Sequence, residues 1–111
     1  MGKFVISKRK NGEFQFNLLA GNGQVILASE GYASKPSCMN GVKSVMENAA
    51  NVDRFDSKVA KSGQFYFNLK ASNGQVIGKS EMYESKASCD NGIASVKKNA
   101  PGATIDDKTK D

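Results

Sequence analysis

The side chains able to do chemistry come in matched pairs: Cys38 with Cys89, Ser34-Lys35 with Ser85-Lys86, and Glu30 and Tyr32 with Glu81 and Tyr83. Two thiols at equivalent places could form a redox couple, since a helix N-terminus lowers a thiol pKa. On an apolar helix stripe the same cysteines are small buried hydrophobes, and packing is the reading expected. A Ser–Lys couple can be a nucleophile with a desolvated base. Adjacent helical residues point about 100° apart, however, and a serine helix cap explains the same residues. A carboxylate beside a phenol could hold a cation or a hydroxylated ligand. A tyrosine that anchors the connection by packing, beside a solvated glutamate, is the plainer expectation. The chain has no histidine, which removes Ser-His-Asp triads, Cys-His dyads and His-ligated metals together. Its carboxylates show no D-x-D-x-D-G spacing, and there is no G-x-G-x-x-G or P-loop. No metal, cofactor or catalytic residue is expected.

The elements that position these side chains come from 111 residues, 39% of them apolar and 24% charged, the profile of one ordinary globular domain. A chain of this size buries roughly two-thirds of the surface its unfolded form exposes, so it needs neither disulfide nor metal to fold. No apolar run approaches the ~18–20 residues of a membrane span. The first eight residues lack the apolar core of a signal peptide, so cytoplasm is the expected location and no membrane partner is expected. The net charge of +5 invites a polyanion partner. The charges are dispersed, though, with only Lys8-Arg9-Lys10 clustered, and arginine, the residue best suited to base readout, is scarce.

Self-comparison carries the most information. At a fixed offset of 51, residues 12–49 align with 63–100 without a gap, with 24 identities in 38 positions. Phe14-Gln15-Phe16-Asn17-Leu18 answers to Phe65-Tyr66-Phe67-Asn68-Leu69, and Asn22-Gly23-Gln24-Val25-Ile26 recurs as Asn73-Gly74-Gln75-Val76-Ile77. The chain is a tandem duplication, about 1–51 and 52–111. A fifty-residue unit alone buries too little apolar surface to be secure. The two units are therefore expected to share one core about an approximate two-fold axis, as a monomer that is internally a pseudo-dimer.

Each unit reads as strands followed by one helix. Phe14, Phe16, Leu18 and Ala20 alternate with Gln15, Asn17 and Leu19, as do Phe65, Phe67, Leu69 and Ala71 with Tyr66, Asn68 and Lys70, the mark of half-buried strands. Asn22-Gly23 and Asn73-Gly74 predict type I′ hairpin turns with both central residues at φ > 0. Further strands are expected at about 3–9, 24–29, 53–60 and 75–80. Ser34 and Ser85 cap helices that place Cys38, Val42, Val45 and Ala49, and Cys89, Ile93, Val96 and Ala100, on one face. Gly41 and Gly92 inside these helices predict a close approach to the sheet or to the other helix. Asn48 and Asn99 mark the helix ends, and Arg54-Phe55 and Thr104-Ile105 each open one more strand. The class is α+β: a mainly antiparallel sheet with both helices on one face.

The strand Phe65-Tyr66-Phe67-Asn68-Leu69-Lys70, the Asn-Gly-Gln hairpin and the helix Gly92-Ile93-Ala94-Ser95-Val96-Lys97 together resemble the YegP-like family of small bacterial proteins over roughly residues 3–105. The resemblance implies tandem β-β-β-α-β repeats in one sheet, with the strand after each helix exchanged into the other repeat's part. It implies no activity and no catalytic residues.

The binding surface this arrangement offers is the sheet face opposite the helices. That face is expected to present Gln15, Asn17 and Leu19 together with Tyr66, Asn68 and Lys70. Asparagine is disfavoured in strands, so its recurrence at 17 and 68 suggests pairing with a neighbouring strand or a ligand. The function expected is a small non-enzymatic binding or interaction module for a protein or small ligand. Weak sequence-independent nucleic-acid binding through Tyr66 and the lysines is the alternative, and a thiol-dependent activity of Cys38 and Cys89 the remote one.

Overall fold

The computed structural model describes residues 2–109. Strands β1 (Lys3–Lys8), β2 (Phe14–Leu19) and β3 (Val25–Ala28) lead to helix α1 (Lys35–Asn48), and a 3-10 turn at Val52–Arg54 follows. Strands β4 (Phe55–Val59), β5 (Phe65–Lys70) and β6 (Val76–Lys79), helix α2 (Lys86–Asn99) and strand β7 (Thr104–Asp107) complete the chain. The sheet runs β4-β5-β6-β3-β2-β1-β7 and is antiparallel except where β7 lies parallel to β1. No helix among the described residues is long and apolar enough to cross a membrane.

The pseudo-two-fold axis passes between β3 and β6, which meet through one residue pair, Ala28 with Lys79. So slender a backbone junction cannot hold the halves together, and the helices bridge it. Helix α1 packs on β2 of its own repeat and on β5 and β6 of the other, while α2 packs on β5 and β3. Phe4, Ile6, Phe16, Leu18, Leu27, Phe67 and Leu69 point beneath the helices and are fully buried, as are Val42, Val45 and Val96 from above. The two expectations of a strand after α1 and a first strand of the second repeat fall on a single strand, β4. The described residues therefore form seven strands, and the last of these, β7, lies beside β1 of the first repeat.

The hairpins differ from the type I′ expectation. Among the described residues none other than glycine has positive φ; Gly23 and Gly74 both stand at +85°. Gly23 N–H donates to Ala20 C=O and Ala20 N–H to Gln24 C=O, which closes a three-residue loop: a type I turn, then a left-handed glycine. Asn22 contributes its side chain instead of its backbone, with Oδ1 accepting from Gln24 N–H at 3.0 Å. Ser62 Oγ accepts from Gln64 N–H in the same way, which explains how serine replaces asparagine before Gly63. A β-bulge also breaks the alternation of β3: Leu18 pairs with Leu27 but Leu19 with Val25, so Ile26 and Leu27 are both buried.

Packing at the axis departs from strict symmetry. Leu27 and Gly78 occupy equivalent positions, and a Cβ on Gly78 would lie 2.6 Å from Leu27 Cδ2 and 2.7 Å from Cγ. One leucine fills the space that two would contest. Gly78→Ala is expected to cost about 1–3 kcal/mol by overpacking and Leu27→Ala about 2–5 kcal/mol by leaving a cavity. The exchanged pair, Leu27→Gly with Gly78→Leu, should recover most of that loss in urea unfolding. If it is no more stable than Gly78→Leu alone, the two sites do not share one volume.

Candidate functional site

On the face away from the helices, the register aligns Val5, Asn17, Ala28, Lys79, Asn68 and Asp56 in one row across six strands, with Asp106 at its β7 end. The two repeats differ along this face. Ser7, Gln15, Leu19 and Ala28 in the first stand where the second has Lys58, Tyr66, Lys70 and Lys79. Beneath the helices most equivalent residues are the same, because both halves must fill the same interior: Phe16 and Phe67, Leu18 and Leu69, Cys38 and Cys89, Val45 and Val96.

A concavity of about 430 Å³ lies on the second repeat's side of the axis, lined by Glu30, Tyr66, Asn68, Val76 and Lys79 among others. The Lys79 ammonium sits 4.9 Å from the centre of the Tyr66 ring, a cation–π contact that fixes both. Among the described residues the amides of Asn17 and Asn68 have no hydrogen-bond partner, whereas those of Asn48 and Asn99 donate to Ser44 and Ser95 C=O at 2.8 Å. The asparagines therefore present free donors and acceptors on the open face. Nearer the edge, Asp56 accepts from Lys70 at 3.1 Å and Lys58 at 3.3 Å. The hydrogen bond from Lys70, then that from Lys58, holds its carboxyl below the usual range.

Of the five residues singled out from the sequence, only Tyr66 and Asn68 line the concavity. Asn17 shares their cross-strand row. Gln15 is occupied by the Arg9 guanidinium, which donates to its Oε1 at 2.6 Å, and Lys70 is occupied by Asp56. Lys79 and Glu30, which complete the site, were not among the five. The signal for Lys79 is its mismatch with Ala28 in the otherwise similar repeats. Only the register of β5 with β6 shows that this mismatch falls beside Asn68.

The matched pairs with chemical potential are occupied in packing. Ser34 and Ser85 cap the helices, accepting from Ser37 and Ser88 N–H at 3.3 and 3.0 Å. Lys35 is paired with Asp107 on β7. Cys38 and Cys89 are free and buried, and burial raises both thiol pKa values, with the Asp107 carboxylate adding to the effect at Cys38. Raised pKa values disfavour the reactive thiolate. Tyr32 and Tyr83 lie flat beneath the helices, stacked on Phe16 and Phe67 with ring centres 6.2 and 6.4 Å apart. Their phenols press on Gly41 and Gly92, where a Cβ would collide. The close approach expected at these glycines is therefore made by the tyrosines, with Phe16 and Phe67 next nearest. Burial first, then nearby charge, raises both phenol pKa values. Among the described residues no group of three or more His, Cys, Asp or Glu could hold a metal ion.

A family model described as a domain of unknown function, DUF1508, matches the chain twice, over residues 10–56 and 60–107. The chain belongs to the DUF1508 family. Its similarity to relatives named UPF0339 proteins extends over nearly the whole length. It is 48% identical to the UPF0339 protein YegP of Escherichia coli K12 over 108 residues, covering 97% of this chain and 98% of that protein. It is 53% identical over 104 residues, 94% of each chain, to a UPF0339 protein of Stutzerimonas stutzeri named for its place in the ptx operon 5′ region. The solution structure of yegP from E. coli, itself of unknown function, superposes with a TM-score of 0.93 at 47% identity, over 99% of this chain and 95% of that one. A UPF0339 protein of Shewanella oneidensis gives 0.90 at 50% identity, over 96% of this chain and 90% of its own. The relatives confirm the α+β tandem fold and name no activity.

Two outcomes follow from the packed groups. In the native protein Cys38 and Cys89 should resist alkylation by iodoacetamide at neutral pH, and both should react at once in denaturant, as mass spectrometry would show. Rapid native modification of either would contradict its burial. Asp107, hydrogen-bonded by Lys35 first and by Thr109, has its carboxyl lowered to about 2. Its contribution to holding β7 is therefore complete above the ordinary carboxylate pKa of about 3.9 and fades as pH falls through about 2. The Lys108 amide, which donates to Ile6 C=O at 2.9 Å, should lose exchange protection over that interval, and Asp107→Asn should abolish the dependence.

Proposed function

We propose that this protein is a non-enzymatic binding module and that the concavity on its open sheet face is the binding surface. The reading rests on Asn68, whose amide has no partner among the described residues and lines one concavity with the Tyr66–Lys79 pair and Glu30. Those groups offer an aromatic plane, a cation, a carboxylate and a neutral donor–acceptor within one site, and none is aligned as a nucleophile with a base. Such a set suits a planar polar group, either a small molecule or a side chain presented by another protein. The buried free thiols suit a reducing compartment, consistent with action in the cytoplasm as a monomer.

The Tyr66–Lys79 arrangement also favours a second reading, weak sequence-independent binding of single-stranded nucleic acid, in which a base stacks on Tyr66 for about 1–3 kcal/mol. Asp56 already neutralises part of the charge of Lys58 and Lys70, which leaves few free phosphate contacts. Affinity capture with the wild-type chain beside Tyr66→Ala and Asn68→Ala variants tests the site. A partner lost in both variants supports the open face; one retained by both moves the site elsewhere. For nucleic acid, log K should fall linearly with log salt, and binding that is absent or insensitive to salt removes that reading.

A further inference from the structure

The two edges of the sheet are not equivalent, although the repeats are. Beyond β1 lies β7, with Thr104 N–H donating to Gly2 C=O at 3.2 Å and Lys108 N–H to Ile6 C=O at 2.9 Å. Beyond β4, the equivalent strand, there is none among the described residues. The consequences appear residue by residue. Phe4 and Ile6 are fully buried, while their counterparts Phe55 and Ser57 are half-buried and exposed. Val52 and Val59 on this side are 59% and 65% exposed. Lys35 is paired with the nearly buried Asp107 carboxylate, while its counterpart Lys86 is 73% exposed and reaches only its helical neighbour Asp90 at 3.4 Å.

Two hollows mark where the missing strand would run. One of about 170 Å³ opens between Ser57, Phe65, Lys86 and Cys89, the counterpart of the seat that Asp107 takes near Lys35 and Cys38. The other, of about 280 Å³, lies further along α2 between Val52, Ile93 and Lys97. The filled half supplies the template for what fits. Ile105 pairs with Phe4 and Asp107 with Ile6, so both side chains stand on the helix side of the sheet, two positions apart, with Asp107 against Lys35 of α1 and Ile105 still 43% exposed. Shifted by 51 residues, the same strand would set an aliphatic side chain beside Phe55 and a carboxylate beside Ser57, within reach of Lys86.

We propose that the β4 edge and the adjoining face of α2 form a docking slot for an extended segment of a partner protein. The segment would add parallel to β4 and carry an aliphatic residue followed two positions later by an aspartate or glutamate. The main chain supplies the pairing of β-augmentation, and the Lys86 seat selects the acid. The occupant is an acidic segment of another protein rather than a second copy: β4 of a second copy carries its one carboxylate, Asp56, on the open face with Lys58 and Lys70 and brings none to Lys86, and among the described residues each copy holds one β7 for two edge positions. Exchanging that strand between copies moves the vacancy without filling it. This slot is independent of the open-face groove and stands or falls separately from it.

A peptide copying residues 102–109 is the probe, added to the full-length chain and followed by amide chemical shifts. Saturable changes are expected at 55–59 and 86–93. The tethered β7, at high effective concentration, should keep the β1 edge closed. Replacing the peptide's second aspartate with asparagine should weaken binding about tenfold or more, and Lys86→Ala in the protein should do the same. Lys86 is exposed, so that variant keeps the fold. Shifts confined to β1, equal affinity of the asparagine peptide, no saturation at millimolar peptide, or self-association through β4 that excludes the peptide would each overturn the proposal.

Discussion

Everything in this molecule depends on each helix covering strands of the repeat it does not belong to. A single three-stranded sheet with one helix of fourteen residues leaves most of its apolar face wet. Reaching across the axis, α1 covers β5 and β6 and α2 covers β3, so two insufficient units make one sufficient interior. The backbone contact between the halves is one residue pair. Side-chain packing under the crossing helices therefore carries the junction, and the Leu27–Gly78 fit shows how closely it is made.

Duplication within one chain frees the repeats from identity. In a true two-fold dimer Leu27 would meet another Leu27 at the axis, and the open face would repeat itself on both sides. Here the large and small residues at the axis divide one volume, and the open face carries neutral side chains at Gln15 and Ala28 where the second repeat has Tyr66 and Lys79. Among the described residues one strand, β7, follows the second helix. One edge is thus sealed by β7 with its aspartate on Lys35, and the other is left with β4 exposed.

How legible the fold was depended on whether local chemistry decides it. The period-2 strands, the Ser34 and Ser85 caps and the Asn48 and Asn99 helix ends all follow from short-range sterics and hydrogen bonding, and the structure places each where its residues point. The hairpins were legible as hairpins but not in type. Asn-Gly satisfies a type I′ turn as readily as a type I turn with a left-handed glycine, and only the closing bonds of Ala20 with Gln24 and Gly23 distinguish them. The crowding at Gly41 and Gly92 was legible as crowding. That a tyrosine from beyond the hairpin causes it was not, because nothing in the helix names its neighbour.

The sequence by itself determined the duplication, the element types and the membership of the interior, since periodicity and an ungapped repeat report the constraints acting along the chain. It also showed which residues differ between the copies. Tertiary structure alone decided which of those differences meet: Lys79 beside Asn68 and over Tyr66, Asp56 between two lysines, Asp107 against Lys35. The reason is that strand order and register bring together residues far apart in the chain, and a repeat offset says which residues are equivalent without saying which become neighbours.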